Sequence, residues 1–350
     1  ERCEDRGILH AVAGNSKTPE EILEKLSEYE DEYVLLPVAE DSKTPEKIKA
    51  KILEKLAKSE DEYVLRTVAG NPKTPEKILE KFAKSKNNDF LRAVARNPKT
   101  PEKILEKLAE SEDVQVLRAV AGNPKTPEKI LKKLAESEDE YVLFAVARNP
   151  KTPEKILEKL AEAEYESVLR AVAGNPKTPE KILEKFTGAD YEGVLLGVAE
   201  SPKIPEKTKA KILEKLAVSK DVRVLREVAR NPKTPEKILE KLAMSGNEHV
   251  LLEVAENPKT PERTKAKILG KLAESKDNYI QRRVASNKNT PKESLDKLLR
   301  DSDEDVRKEV AKNSSTPFKT LKRLAVDKDE DVRIEAISSI ISRPASEWKQ

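Results

Sequence analysis

Residues 100–125 read TPEKILEKLAESEDVQVLRAVAGNPK, and this stretch decides the fold because it recurs along nearly the whole chain. Its proline returns at Pro19, Pro45, Pro75, Pro101, Pro127, Pro153, Pro179, Pro205, Pro235, Pro261, Pro291 and Pro317. The intervals are 26, 30, 26, 26, 26, 26, 26, 30, 26, 30 and 26 residues. Periods in this range belong to stacked arrays, in which each unit buries its apolar face against its neighbours.

Within the unit, Thr100 suits an N-cap and Pro101 a first helical position, where the missing N–H costs nothing. Ile104, Leu105, Leu108 and Ala109 make one apolar stripe at helical spacing, with Glu102, Lys103, Glu106 and Lys107 on the wet face. Ser111 to Asp113 ends this helix and caps a second. Val116, Leu117, Val120 and Ala121 give that helix the same stripe. It is short enough for a 3₁₀ stretch. Gly122-Asn123-Pro124 stops it, through the tolerance of Gly and Asn for left-handed geometry and the proline that follows. Neither helix is long enough to stand alone, so stability has to come from burial between units. The three 30-residue units carry Lys-Ala-Lys-Ile at 49–52, 209–212 and 265–268. Four residues are about one turn, which predicts a longer first helix and a local change of curvature.

The unit resembles the leucine-rich repeat variant family, with the pattern Asp-x-x-Val-Leu-x-x-Val-Ala-x-Asn-Pro-x-Thr-Pro-x-x-Ile-Leu-x-x-Leu-Ala. The resemblance implies an all-α, right-handed α-solenoid of about twelve two-helix repeats, related in shape to HEAT repeats. Family repeats usually have Val-Arg where most units here have Val-Leu; only Val306-Arg307 and Val332-Arg333 keep the Arg. Some members hold an iron–sulfur centre on an N-terminal cysteine cluster. Cys3 is the only cysteine, so no cofactor is expected.

Organisation follows the repeat: one solenoid over 1–350, with a half unit at 1–17, tandem repeats over 18–315 and a capping repeat at 316–350. The half unit has only a second helix and requires a cover or an upstream segment. Ile334, Ile337, Ile340, Ile341 and Trp348 make the last repeat more apolar, which reads as a terminal cap, with a dimerisation patch as the alternative. The lone cysteine excludes an internal disulfide and fits a reducing, cytoplasmic setting. No apolar run approaches the ~18 residues of a membrane span.

Charged residues make up 38% of the chain, yet Lys+Arg 68 against Asp+Glu 65 leaves only +3, a weak bulk drive toward nucleic acid or anionic membrane. His10 and His249 are far apart and read as ordinary surface histidines. No Cys/His cluster has metal spacing, and no Gly-rich phosphate loop occurs. Paired glutamates recur on most first helices, where a catalytic pair repeated along the array makes no chemical sense. The expectation is therefore a non-enzyme with no small-molecule substrate.

Copies within one chain can be compared with each other. The first helix hardly changes, whereas the second varies outside its apolar stripe, at positions such as 115, 118, 119 and 122. Three of these share one helical face. Read along the array, that face carries Tyr33, Leu36 and Glu40; Tyr63 and Arg66; Arg92 and Arg96; Arg118; Tyr141, Phe144 and Arg148; Arg170; Leu196 and Glu200; Arg223, Arg226 and Arg230; Leu252 and Glu256; Tyr279 and Arg282. Tyr and Arg are anchor types at protein interfaces. The expected function is a scaffold binding a protein or peptide, with Tyr33, Tyr63, Arg66, Arg92, Arg96, Arg118, Tyr141, Phe144, Arg148, Arg170, Arg223, Arg226, Arg230, Tyr279 and Arg282 as the partner-binding residues. The alternative is DNA or RNA, held by these arginines and by the lysines at 17, 43, 73, 99, 125, 151, 177, 203, 233 and 259, which precede helix N-termini. A third class is a passive spacer.

Overall fold

A computed structural model describes residues 6–15 and 17–343; Cys3 and Trp348 lie outside these. The chain divides into two compact units, Glu1–Ile182 and Leu183–Gln350. Every regular element among the described residues is an α-helix.

In the first unit the second helices are Arg6–Ala13, Glu32–Glu40, Glu62–Gly70, Asn88–Arg96, Val114–Gly122, Glu140–Arg148 and Glu166–Gly174. They alternate with first helices Glu20–Leu26, Glu46–Leu56, Glu76–Phe82, Glu102–Leu108, Glu128–Leu134 and Glu154–Leu160. The second unit continues the pattern, with second helices Glu192–Glu200, Val222–Arg230, Glu248–Glu256, Asn278–Ser286, Glu304–Lys312 and Glu330–Ile341. Its first helices include Glu206–Leu216, Glu236–Leu242, Glu262–Leu272, Lys292–Leu298 and Phe318–Leu324. Each unit is an α-solenoid segment. Across 26-residue steps inside a unit, successive second helices pack side by side and the first helices fill the space behind them.

The stripes expected from the sequence form the core. Ile104, Leu105, Leu108, Ala109, Val116, Val120 and Ala121 are all buried, and their counterparts recur in both units. The second helix has no 3₁₀ stretch. It is a nine-residue α-helix, longer than the seven-residue first helix of the same repeat. An N-cap carboxylate opens it: Asp139 Oδ1 accepts from the amides of Tyr141 at 2.9 Å and Val142 at 3.0 Å.

The junction between helices departs from expectation twice. Pro101 is the N-cap residue, extended at φ −59° and ψ 146°, and the helix starts at Glu102. The Thr100 hydroxyl caps nothing in front of it. It turns back and donates to the Val94 carbonyl at 2.5 Å, at the end of the preceding second helix. Thr126, Thr152, Thr234, Thr260, Thr290 and Thr316 repeat this bond. The buried Thr100 hydroxyl gives the Val94 carbonyl a second donor beside the Asn97 amide, which reaches it at 3.1 Å. The asparagines also avoid left-handed geometry: no residue in the described backbone has positive φ. Asn123 is extended at φ −73° and ψ 128°, because the proline after it disfavours the helical region.

Freed from that role, the asparagines bridge repeats. Asn149 Nδ2 donates to the carbonyls of Ala121 at 2.6 Å and Asn123 at 2.9 Å, one repeat back. Its Oδ1 accepts from the Lys151 amide at 2.9 Å. Asn97, Asn123 and Asn175 do the same in the first unit, and Asn257 and Asn313 in the second. The result is a buried ladder that gives the alanine carbonyls a partner and adds a second donor to the asparagine carbonyls, which also accept from the Thr amide three residues on.

The ladder is interrupted at each 30-residue step. Asn71, Asn231 and Asn287 keep only the local bond to the amide two residues on. There the eleven-residue first helices Glu46–Leu56, Glu206–Leu216 and Glu262–Leu272 pack on the second helix before them and reduce direct contact between second helices. The added turn buries Lys49, Lys209 and Lys265, whose ammonium groups lie toward Glu46, Glu206 and Glu262 at 3.7, 3.2 and 3.1 Å.

At the end of the second unit, the retained arginine has a structural task. Arg307 is buried and pairs with both carboxylate oxygens of Asp327 at 2.9 and 3.0 Å, while its Nη1 donates to the carbonyls of Asp301 and Ser302. Repeats with Val-Leu have Ser or Ala where Asp327 stands.

Candidate interaction surface

The variable face of the second helices is where the chain departs from pure repetition, and the structure sorts its residues into distinct groups. Leu36, Leu196 and Leu252 are core. Each lies on a second helix that receives a long first helix, and each is buried together with its neighbour Leu35, Leu195 or Leu251. Their apolar character is explained by the inserted turn, so they are no sign of a partner.

A second group is neutralised within the molecule. In the second unit, Arg226 and Arg230 both reach Glu253, at 2.9 and 2.6 Å. Burial pushes the Glu253 carboxyl up, but hydrogen bonds and charge from Arg230 and Arg226 outweigh it and leave the group below its ordinary value. Arg282 pairs with Asp305 at 3.0 Å, Arg283 with Glu256 at 2.6 Å and Arg223 with Asp221 at 2.7 Å. The hydrogen bond to Asp221 raises the Arg223 guanidinium further. His249 and Tyr279 lie with ring centres 6.4 Å apart, and His10 Nδ1 lies 2.8 Å from the Tyr33 carbonyl.

In the first unit, Tyr33 is anchored: its hydroxyl donates to Asp61 at 2.6 Å and its ring stacks on Tyr63 at 6.2 Å. That hydrogen bond raises the Tyr33 phenol and, with the amides of Val64 and Tyr63, lowers the Asp61 carboxyl. Arg92 pairs with Asp89 at 2.6 Å.

The third group is open. Tyr63 and Tyr141 are more than half exposed, at 53% and 55%. Arg66 lies 5.9 Å from the Tyr63 ring centre and Arg118 lies 5.3 Å from that of Tyr141, within cation–π range. Among the described residues, Arg66, Arg96, Arg118, Arg148 and Arg170 have no ion-pair partner within 4.0 Å. Arg96, Arg118 and Arg148 come together on a cleft of about 400 Å³ with Phe144 on its wall, and no carboxylate lines it. The clefts of the second unit mix charges: Arg230 and Arg283 share one with Glu253 and Glu256.

Two exposed tyrosines escaped the sequence reading. Tyr165 and Tyr191 occupy N-cap positions where other repeats have Asp or Asn, and neither makes a side-chain capping bond. A lost cap costs about 1 kcal/mol, and the broken Asp pattern was the available signal.

The lysines that precede the first helices are largely committed to the fold. Lys125, Lys151, Lys177 and Lys259 each donate to the carbonyl of the matching lysine one repeat back, at 3.2–3.3 Å. Lys73 and Lys233 pair with Glu46 and Glu206. Among the described residues, no group of His, Cys, Asp and Glu is arranged to hold a metal ion, and no helix is long and apolar enough to cross a membrane.

No family model matches the chain, and no curated protein matches it. Solved structures do. A leucine-rich repeat variant is 19% identical over 73% of this chain and 88% of its own, with a TM-score of 0.35. An engineered protein is 18% identical over 98% of this chain and 97% of its own, with a TM-score of 0.25. A chain from the structure of Kap95p with RanGDP is 12% identical over 96% of this chain and 60% of its own, with a TM-score of 0.36. At these identities and TM-scores, the likenesses say nothing of partner or activity. On its own helices and their packing, each of the two units is an α-solenoid array of helical repeats, all-helical among the described residues.

Proposed function

We propose that the chain is a non-catalytic scaffold that binds a protein or peptide through the variable face of its second helices. One observation carries this reading: on that face the first unit combines exposed Tyr63 and Tyr141 with arginines that have no ion-pair partner among the described residues, while the core and the asparagine ladder are occupied with folding. Large aromatic groups held in water by neighbouring guanidinium groups contribute little to the fold. They are preorganised to cover an apolar or acidic partner surface at low entropic cost. The nucleic-acid alternative is weakened by the net charge of only +3, a weak drive toward phosphate, and by Lys73 and Lys233, which glutamates neutralise.

Photo-crosslinking tests the assignment. A crosslinking amino acid at Tyr141 is expected to capture discrete protein or peptide partners from native lysate. The same group at Lys103, on the first-helix face, is expected to capture none. Equal capture from both positions, or capture of nucleic acid alone from Tyr141, would remove the reading.

A further inference from the structure

The cleft in the first unit has a feature beyond its charge. Along successive second helices, the residue at the C-terminal end is Gly70, Arg96, Gly122, Arg148 and Gly174. Glycine and arginine alternate. Gly122 is helical with negative φ, so its backbone demands no glycine. A Cβ built on it meets nothing within 4 Å, so packing demands none either. Helical glycine is less stable than alanine by roughly 1 kcal/mol. Other repeats place Glu40, Glu200, Arg230 and Glu256 at this position. What the glycine leaves is room: Arg96 on one side, Arg148 on the other, Arg118 one turn back and Phe144 on the wall.

We infer that this cleft is the binding centre of the scaffold, and that its occupant is an acidic peptide segment, with carboxylates on Arg96, Arg118 and Arg148 and an apolar side chain against Phe144. This rests on the reading of the second-helix face as a protein-binding surface and names the chemistry of the partner. Charge complementarity is the basis. Three guanidinium groups from three repeats converge with no counter-ion among the described residues, whereas the equivalent Arg226, Arg230 and Arg282 of the second unit are answered by Glu253 and Asp305. Arginine binds carboxylate in a bidentate fork, and the bond strengthens where water is partly excluded. A peptide is favoured over a nucleic acid because the chain's net charge is only +3, which gives a phosphate backbone little bulk attraction outside the cleft.

The test uses the full chain and fluorescence anisotropy near physiological salt. The probes are a labelled peptide of alternating Asp/Glu and Phe, its Asn/Gln counterpart, and a labelled single-stranded oligonucleotide. The acidic peptide is expected to bind, with the amide version at least tenfold weaker. Arg118→Gln and Gly122→Glu should each weaken binding by roughly tenfold, the scale of a charge-assisted hydrogen bond. Lys103→Gln should leave it unchanged. Gly122→Glu places in the cleft a residue that the fold already accepts at Glu200 and Glu256, so far-UV ellipticity and thermal midpoint are expected to hold. Equal binding of the amide peptide, or acidic-peptide binding indifferent to both variants, overturns the cleft assignment and leaves the scaffold. Binding of the oligonucleotide alone overturns both. Failure of both peptides alongside selective crosslinking from Tyr141 overturns only the acidic occupant.

Discussion

Asn149→Ala tests whether the asparagine ladder holds neighbouring repeats together. The side chain is buried and makes three hydrogen bonds: two donated to carbonyls of the preceding repeat, at 2.6 and 2.9 Å, and one accepted from Lys151 at 2.9 Å. Alanine removes all three and leaves the Ala121 and Asn123 carbonyls without that partner. At about 1 kcal/mol net per bond, the loss is about 3 kcal/mol. Asn71 supplies the internal control. It is also buried but follows a 30-residue step and keeps only the bond from the Lys73 amide at 2.8 Å. Asn71→Ala should therefore cost about 1 kcal/mol, and the difference measures the bond between repeats. The assay is urea unfolding followed by far-UV ellipticity, with deuterium uptake at residues 114–149, since an array need not unfold in one step. Uptake should rise at the Asn123–Asn149 junction. Equal losses for the two variants, or a loss under about 1 kcal/mol for Asn149→Ala, would show that helix packing alone sets the coupling.

Three further outcomes follow from the same geometry. Leu252→Ala should cost about 2–5 kcal/mol in urea unfolding, as a buried truncation does, whereas Tyr141→Ala should shift stability by about 0.5 kcal/mol or less; matching effects would return Leu252 to the surface. Arg307→Ala leaves half-buried Asp327 unpaired and should cost about 3 kcal/mol, the low end for a broken buried pair, while Arg307→Leu with Asp327→Ser, the pairing of other repeats, should recover most of it in a double-mutant cycle. Acid should weaken the second unit in a defined direction. Glu253 and Asp327 are both raised by burial and lowered more strongly by their arginines, so each lies below its ordinary value in the folded chain. Their stabilisation is fully present above the unfolded values of about 4 and is lost as pH falls through the depressed ones. Protection measured by deuterium exchange in 222–256 should thus hold from neutrality to about pH 5 and drop below that, and Glu253→Gln should flatten part of the drop.

The repeat, its two helices and its core were legible in residues 100–125 because helical periodicity and caps are local. Ile104, Leu105, Val116 and Val120 declare their face by spacing alone, and Asp113 announces the second helix by its position. Thr100, Asn149 and Leu252 were legible only in part. Each has a familiar local role, as cap, as left-handed terminator and as surface anchor, and each performs a different one. The Thr100 hydroxyl bonds a carbonyl six residues behind it, Asn149 bonds one 28 residues behind, and Leu252 lies under a helix lengthened by one turn in the next repeat. The clue to Leu252 was present, since Leu-Leu precedes every Lys-Ala-Lys-Ile insertion. Charge was the least legible quantity. Arg118 and Arg226 occupy the same repeat position, yet Arg226 meets Glu253 and Arg118 meets only an aromatic face. By itself the sequence determined the periodic unit, because turn chemistry and apolar spacing act over a few residues. The tertiary structure decided which polar groups are used up and which stay open, because that depends on what a neighbouring repeat brings within hydrogen-bonding reach.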